Sequence, residues 1–283
     1  MKYPCKSLEW NFRDISMELG LKLKSEEIAH YKNEGFLIPE YKLPDEMVNR
    51  MRDSLLQLID ANSHLVSDVM YGPHISFNPG QKMRGDPVWL NYASHPPILD
   101  ILEQLIGPDF LLWGTTVFGK PANGGKRVPW HQDGEYWPIE PLSNASVWIA
   151  LDDCTPDNGC LQIIRGSHKE RRLFNHYNDD SDSLLIHEVA DECEYDTSKA
   201  CDISLKSGEF VIFDVFSIHG SHPNNSHKRR AGFVLRIMPT TSFFNHKRQD
   251  VALKTPILDW ANRPLFLLRG RDICARNNFL LGH

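Results

Sequence analysis

The chain has 283 residues, a formal net charge of −6 and a pI near 6.1, with 41% apolar and 24% charged residues. This is ordinary globular composition, long enough to bury a full core as one large domain or two small ones. Net acidity argues against a nucleic-acid binder held by phosphate contacts. No run reaches the roughly 18 apolar residues of a membrane helix, and the opening MKYPCKSLEWNFRD lacks the apolar stretch of a secretory signal. A soluble cytoplasmic protein without a membrane partner is therefore expected. Cys5, Cys154, Cys160, Cys193, Cys201 and Cys274 form no CxxC pair, which predicts reduced thiols rather than a zinc ribbon or redox motif.

The first hundred residues read as helical. Ser25 is placed to cap a helix over Glu26–Asn33 that Gly35 stops. Pro44 and Asp45 open a second, with Val48, Met51, Leu55, Leu58 and Ile59 at helical spacing. A third covers Pro97–Ile106 and ends at Gly107-Pro108. Beyond Gly107 short strand-like runs take over: Phe110–Gly119, Ser146–Asp152, Cys160–Arg165, Ile203–Leu205, Glu209–Asp214 and Arg230–Pro239. In the last, Ala231, Phe233, Leu235 and Ile237 alternate with Gly232, Val234 and Arg236, a period of two. Such strands joined by turns predict a sandwich or barrel. Arg171–Asp202 is polar and acidic and reads as a long surface excursion. The expected fold is mainly β with flanking helices. A single domain is expected over 1–283: a helical flank to about 106, a core over about 107–240, and a C-terminal extension over 241–283.

Most of the 13 histidines, His30, His64, His176, His246 and His283 among them, read as surface or structural residues. His131-Gln132-Asp133 is different. On a strand, residues two apart share a face, so the imidazole and the carboxylate can reach one metal ion. His219, after the apolar run Glu209–Asp214, is the best third donor. Two histidines and one carboxylate leave coordination positions open, which suits non-haem iron(II) but also zinc.

Three segments carry a resemblance: VPWHQDGEYWP (Val128–Pro138), VWIALDDCTPDNGCLQIIRGSHK (Val147–Lys169) and FSIHGSHPNNSHKRRAGFVLRIMP (Phe216–Pro239). Together with LKLKSEEIAHYKNEGFLIPEYKLPDEMVNRMR near the N-terminus, they resemble the phytanoyl-CoA dioxygenase family over roughly residues 20–240. The resemblance implies a double-stranded β-helix (jelly-roll, cupin-like) core with N-terminal helices packed on it, holding iron(II) and 2-oxoglutarate and using O2. It implies that His131, Asp133 and His219 ligate the metal. Arg230 stands where the family's arginine pairs with the 5-carboxylate of 2-oxoglutarate, a role suited to a guanidinium; Arg229 is the alternative. Ser221 matches a serine that contacts the co-substrate. Trp148 and Thr116 fall where the family lines that pocket, or else fill the barrel core. Lys82 lies in a region where some members supply a basic residue. One departure is Arg165, which stands before Gly166-Ser167-His168 where the family often has proline, altering the turn or adding a basic group near the pocket mouth.

The implied activity is hydroxylation of a C–H bond in a small polar or anionic metabolite, with release of succinate and CO2. Retention of the Asp133 carboxylate favours this over halogenation; desaturation and epoxidation share the same site. The competing reading is a non-catalytic metal- or ligand-binding jelly-roll module. Gln132, Tyr136 and Trp137 are candidates to line the substrate pocket, or else they support the strand. Lys169, Arg171, Arg172 and Lys228 either attract an anion or form a solvated charged surface. The partner is a small molecule, with no nucleic acid, in a monomer or homo-oligomer.

Overall fold

The computed structural model describes residues 20–65, 68–248, 250 and 257–282; Cys5 and His283 lie outside the described residues. Helix α1 (Ser25–Glu34) begins one residue earlier than its pattern suggests. Its start is set by Glu27, whose carboxylate accepts the Lys24 N–H at 2.8 Å, so Ser25 is the first helical residue and not the cap. Gly35 ends it with φ +84°, and a Cβ there would collide with the ring of His168. Helix α2 (Asp45–Ala61) buries Met47, Val48, Met51, Leu55 and Leu58 along one stripe. Helices α3 (Val88–Ala93) and α4 (Pro96–Ile106) follow.

Two antiparallel sheets face each other. The larger holds β1 (Phe36–Leu37), β2 (Val69–Tyr71), β3 (Phe110–Lys120), β5 (Ala145–Ala150), β8 (Phe210–Asp214), β10 (Arg230–Pro239) and β11 (Phe266–Arg269). They run in the order β1-β8-β5-β10-β3-β11, with β2 also paired to β3. The smaller holds β4 (Val128–His131), β6 (Leu161–Ile164), β7 (Ala200–Ile203) and β9 (His219–Ser221), in the order β7-β6-β9-β4. This is the mainly β, cupin-like architecture. The flank is not wholly helical, since β1 and β2 join the large sheet, and the C-terminal extension supplies β11. The run expected at Ile203–Leu205 pairs three residues earlier, as β7; Leu205 forms only an isolated bridge to Cys154.

The period-two pattern of β10 has a different cause from a buried and a solvated face, because every residue of this strand is buried. Ala231, Phe233, Leu235 and Ile237 pack on the helices, together with Trp89, Ile98 and Leu102. Val234 faces inward with Trp148, Val211 and Phe213 of the large sheet and Ile163 of the small one. The polar excursion 171–202 is not a bare surface loop. It forms a hairpin (His176–Asn178 with Glu188–Ala190), buries Phe174, Leu184, Val189 and Ala190, and supplies Leu185, Ile186 and Glu188 to cavities in the barrel. The five described cysteines are free thiols.

Within the barrel, Gly232 lies directly under the Trp148 indole, where a Cβ would overlap the ring. Gly232→Ala is expected to destabilise the protein by about 1–3 kcal/mol, the usual range for overpacking. Urea unfolding measures this; an unchanged midpoint would contradict the close packing.

Candidate metal centre and its two pockets

β4 and β9 are neighbours, and their register sets His131 opposite His219 with ring centroids 4.2 Å apart. β4 ends at His131, and Asp133 opens a short 3-10 turn (Asp133–Tyr136) rather than continuing the strand. The intervening Gln132 is still extended (φ −116°, ψ 125°), so the i, i+2 relation survives and Asp133 turns to the same side as His131. Alternation sends Gln132 the other way. Its amide donates to the carbonyls of Phe216 (2.7 Å) and Arg172 (3.1 Å) and accepts from the Phe174 N–H (2.7 Å). Gln132 therefore ties three loops together, which is the supporting role expected of it and not the pocket-lining one. His176, read as a surface or structural residue, takes the structural role: it accepts the Gln132 N–H at 3.0 Å and supports the same turn.

The donors suit a metal ion. Each histidine uses Nδ1 on a backbone carbonyl two residues earlier, His131 on Pro129 (2.9 Å) and His219 on Ser217 (3.0 Å). That choice leaves both Nε2 atoms facing Asp133, at 3.7 and 3.6 Å from its two oxygens. The three ligand atoms lie within 4.8 Å of one another, and all three residues are buried. Burial, reinforced by the neighbouring His131, pushes the His219 pKa down to about 3, so its imidazole is neutral. Burial alone would raise the Asp133 pKa, but the Arg236 guanidinium and the two histidines hold it well below the usual carboxylate range. A neutral imidazole and an ionised carboxylate are the forms that bind a metal.

Arg236, from β10, was not singled out from the sequence. Its Nη1 donates to Asp133 and also to Ser146 Oγ (2.7 Å), while its guanidinium lies 5.0 Å from the Trp137 ring centre. The available signal was its even position on an alternating strand, shared with Arg230.

The triad stands where two cavities meet. One is lined by Trp148, Phe213, His219, Ser221, Arg230 and Val234, among others. Arg230 is buried there, with Nε and Nη2 donating to the Gly159 carbonyl (3.1 and 2.5 Å) and its guanidinium 5.3 Å from the Trp148 ring centre. Arg229 faces elsewhere, forming an ion pair with Asp152. Behind Ser221 lies Lys120, the cross-strand neighbour of Arg230. Its ammonium donates to Ser221 Oγ (2.7 Å) and to the His222 carbonyl. Burial first, and then the nearby Arg230 charge, lower the Lys120 pKa to about 6. Two buried basic groups side by side, with no carboxylate paired to either among the described residues, make a receptor for an anion. Lys82 sits exposed on a tight turn (φ +52°) before Met83–Arg84, clear of both cavities, so the basic residue beside Ser221 is Lys120 and not Lys82.

The second cavity holds Thr116, Tyr136 and Trp137, along with Tyr71, Trp113, Glu188, Trp260 and Arg263. Thr116 thus lies on this side of the metal rather than in the Arg230 cavity. Arg165 does not reach either mouth; it packs on Phe36 and pairs with Glu34 at 3.8 Å. Arg171 and Arg172 are taken up by Asp214, Glu170 and Glu194 at the surface.

A buried two-histidine, one-carboxylate triad in a two-sheet barrel, open on two sides, defines a mononuclear non-haem iron oxygenase. The family model described as "Phytanoyl-CoA dioxygenase (PhyH)" matches residues 31–232, so the chain belongs to that family of iron(II)- and 2-oxoglutarate-dependent enzymes. Human peroxisomal phytanoyl-CoA dioxygenase is 28% identical over 222 residues, covering 72% of this chain and 65% of that protein. Phytanoyl-CoA dioxygenase 1 of Oryza sativa subsp. japonica is 26% identical over 272 residues, covering 83% and 95%. Among solved structures, "CytC3 with Fe(II) and alpha-ketoglutarate" superposes with a TM-score of 0.64 at 22% identity, covering 91% of this chain and 93% of that one. Among the described residues no helix is long and apolar enough to cross a membrane.

The Arg236–Asp133 pair can be tested without substrate. Arg236→Met leaves a buried carboxylate unpaired, and removing one partner of such a pair costs about 3–5 kcal/mol. The metal-free variant should lose stability of this order in urea unfolding, and saturating Mn(II) should stabilise it more than it stabilises the parent protein. A loss under about 1 kcal/mol, below that range, would show that the pair matters little.

Proposed function

We propose that the protein hydroxylates a C–H bond of a small polar or anionic metabolite, converting 2-oxoglutarate to succinate and CO2. The observation that carries this reading is the placement of the triad between an anion-receiving cavity and a separate, aromatic-lined one. Iron(II) held by His131, Asp133 and His219 supplies, with 2-oxoglutarate and O2, the oxidising power for the reaction. The chain's own residues do the rest. Pro129 and Ser217 carbonyls orient the imidazoles, and Arg236 keeps Asp133 ionised. Arg230, assisted by Lys120 and Ser221, receives the distal carboxylate of 2-oxoglutarate, with Trp148 packed against the guanidinium. Burial strengthens this pairing because little water competes for it. On the other side Trp113, Tyr136 and Trp137 exclude water around the reacting carbon.

Anaerobic addition of iron(II) and 2-oxoglutarate should produce a weak visible charge-transfer band, and O2 should then yield succinate. His131→Ala and Asp133→Ala should abolish both. Variants that still bind and turn over 2-oxoglutarate like the parent would overturn the assignment.

Lys120 makes binding proton-linked. Its pKa is about 6, against roughly 10.4 for an unperturbed lysine. Between these values the folded protein holds one proton fewer than the unfolded chain, so this group makes stability rise with pH across that window. An arriving carboxylate favours the ammonium, so 2-oxoglutarate should draw in up to about one proton and bind more weakly as pH rises above about 6. Calorimetry at pH 8 in buffers of different ionisation enthalpy measures the uptake, which Lys120→Met should eliminate. Equal uptake in the variant would exclude Lys120 as the proton acceptor.

A further inference from the structure

The cavity on the Trp113 side of the triad carries three charged side chains besides Asp133: Arg236, Arg263 and Glu188. They are not in the same electrostatic position. Arg236 is already compensated by Asp133. Arg263 is 4% exposed, its Nε is buried with no hydrogen-bond partner, and no carboxylate among the described residues is paired with it. Its guanidinium lies 5.3 Å from the ring centre of Trp260, and burial lowers its pKa to about 10, with Asp259 acting only as a weaker opposing charge. A guanidinium held dry with an idle donor is costly unless something accepts from it.

The carboxylate of Glu188, on the hairpin strand Glu188–Ala190, has no hydrogen bond or ion pair among the described residues. Its charge is felt by Tyr71 and Tyr136, whose hydroxyl pKa values rise mainly through burial and secondarily through this carboxylate. Both tyrosines line the same cavity. One wall thus offers an unsatisfied cation and another an unsatisfied anion, with the rings of Tyr71, Trp113 and Trp137 among the remaining walls.

A simple anion would satisfy Arg263 and be repelled by Glu188. A simple cation would satisfy Glu188 and the aromatic faces while leaving Arg263 buried without a partner. A neutral guest would satisfy neither. We infer that the cavity takes a small zwitterion, its carboxylate on Arg263 and its cationic nitrogen toward Glu188 and the aromatic faces. The assignment rests on the proposed function only in calling this cavity the substrate side of the metal. Arg263 and Trp260 lie beyond residues 31–232, so the selectivity comes partly from chain outside the family's matched span.

Four five-membered-ring probes isolate the charges: L-proline (both), cyclopentanecarboxylate (anion), pyrrolidine (cation) and cyclopentanol (neither). Tryptophan fluorescence reports binding through Trp113, Trp137 and Trp260 without requiring turnover, in the ligand-free protein and again with iron(II) and 2-oxoglutarate under anaerobic conditions. L-Proline is expected to bind at least about tenfold more tightly than each of the other three, the effect of one charge-assisted contact. Arg263→Gln should weaken L-proline and cyclopentanecarboxylate by about tenfold and leave pyrrolidine unchanged. Glu188→Gln should weaken L-proline and pyrrolidine and spare cyclopentanecarboxylate. Since Glu188 is half-buried, its variant keeps the test alive if the buried Arg263 substitution prevents folding. Cyclopentanecarboxylate binding as tightly as L-proline, no preference over cyclopentanol, or no saturable response to any probe would overturn the proposal. Charge selection in a protein that fails to bind 2-oxoglutarate would sink the proposed function and leave this inference standing; the opposite result would do the reverse.

Discussion

Strand β10 has to satisfy two surroundings at once, and the rest of the molecule is arranged around how it does so. Its outward residues, Ala231, Phe233, Leu235 and Ile237, are apolar because they seat the helices on the large sheet. Its inward residues include Arg230 and Arg236, two cations placed six residues apart inside the barrel. Six residues keep the same face of a strand, so one element delivers a charge to each side of the metal triad. A shift of one residue in register would exchange these sets, burying guanidinium groups among helices and aiming phenyl rings at the metal. The apolar packing of the outer face therefore also determines where the inner charges fall.

The barrel interior holds its charges in three different states. Arg236 and Asp133 compensate one another and are further tied to Ser146, which makes them part of the scaffold. Arg230 and Lys120 lie side by side without an acid among the described residues, which lowers the lysine's pKa and favours a carboxylate that would restore its charge. Arg263 and Glu188 stand apart on the opposite side. Groups left uncompensated in this way mark where binding energy is held in reserve, and perturbed titration accompanies them at both cavities. The metal ligands follow a related logic: a neutral His219 imidazole and an ionised Asp133 carboxylate are already the forms that bind an ion, so little reorganisation is needed to accept one.

The two cavities also differ in origin. Most side chains at the Arg230 cavity come from the paired strands β3 to β6 and β8 to β10, with only the apolar Leu185 and Ile186 added from the 171–202 excursion. The opposite cavity takes Glu188 from the 171–202 excursion and Trp260 and Arg263 from the C-terminal extension. Segments packed onto the barrel rather than woven into it can change without disturbing the sheets.

Much of the metal site was legible in the linear chain, because His131 and Asp133 are related by the local geometry of extended backbone. That relation holds even though the strand stops between them. The helices over residues 25–61 and 96–106 and the long strands announced themselves through periodic apolar residues, whose spacing reflects packing on one face. Lys120 was not legible: at the end of a strand it looks like any solubilising lysine until Arg230 is found in register with it. Nor was Lys82 distinguishable from a pocket residue before the turn that exposes it was known, and Gln132 gave no sign of its three loop contacts. Glu188 and Arg263 lie in stretches without periodicity, 75 positions apart in the chain, and no local rule connects them. Sequence alone pointed to the candidate metal donors, because His131 and Asp133 are related by one short stretch of extended backbone and His219 follows an apolar strand in a segment that carries the family resemblance. Only the tertiary structure decided which buried charges are left without partners, because compensation depends on what the fold brings within a few ångströms.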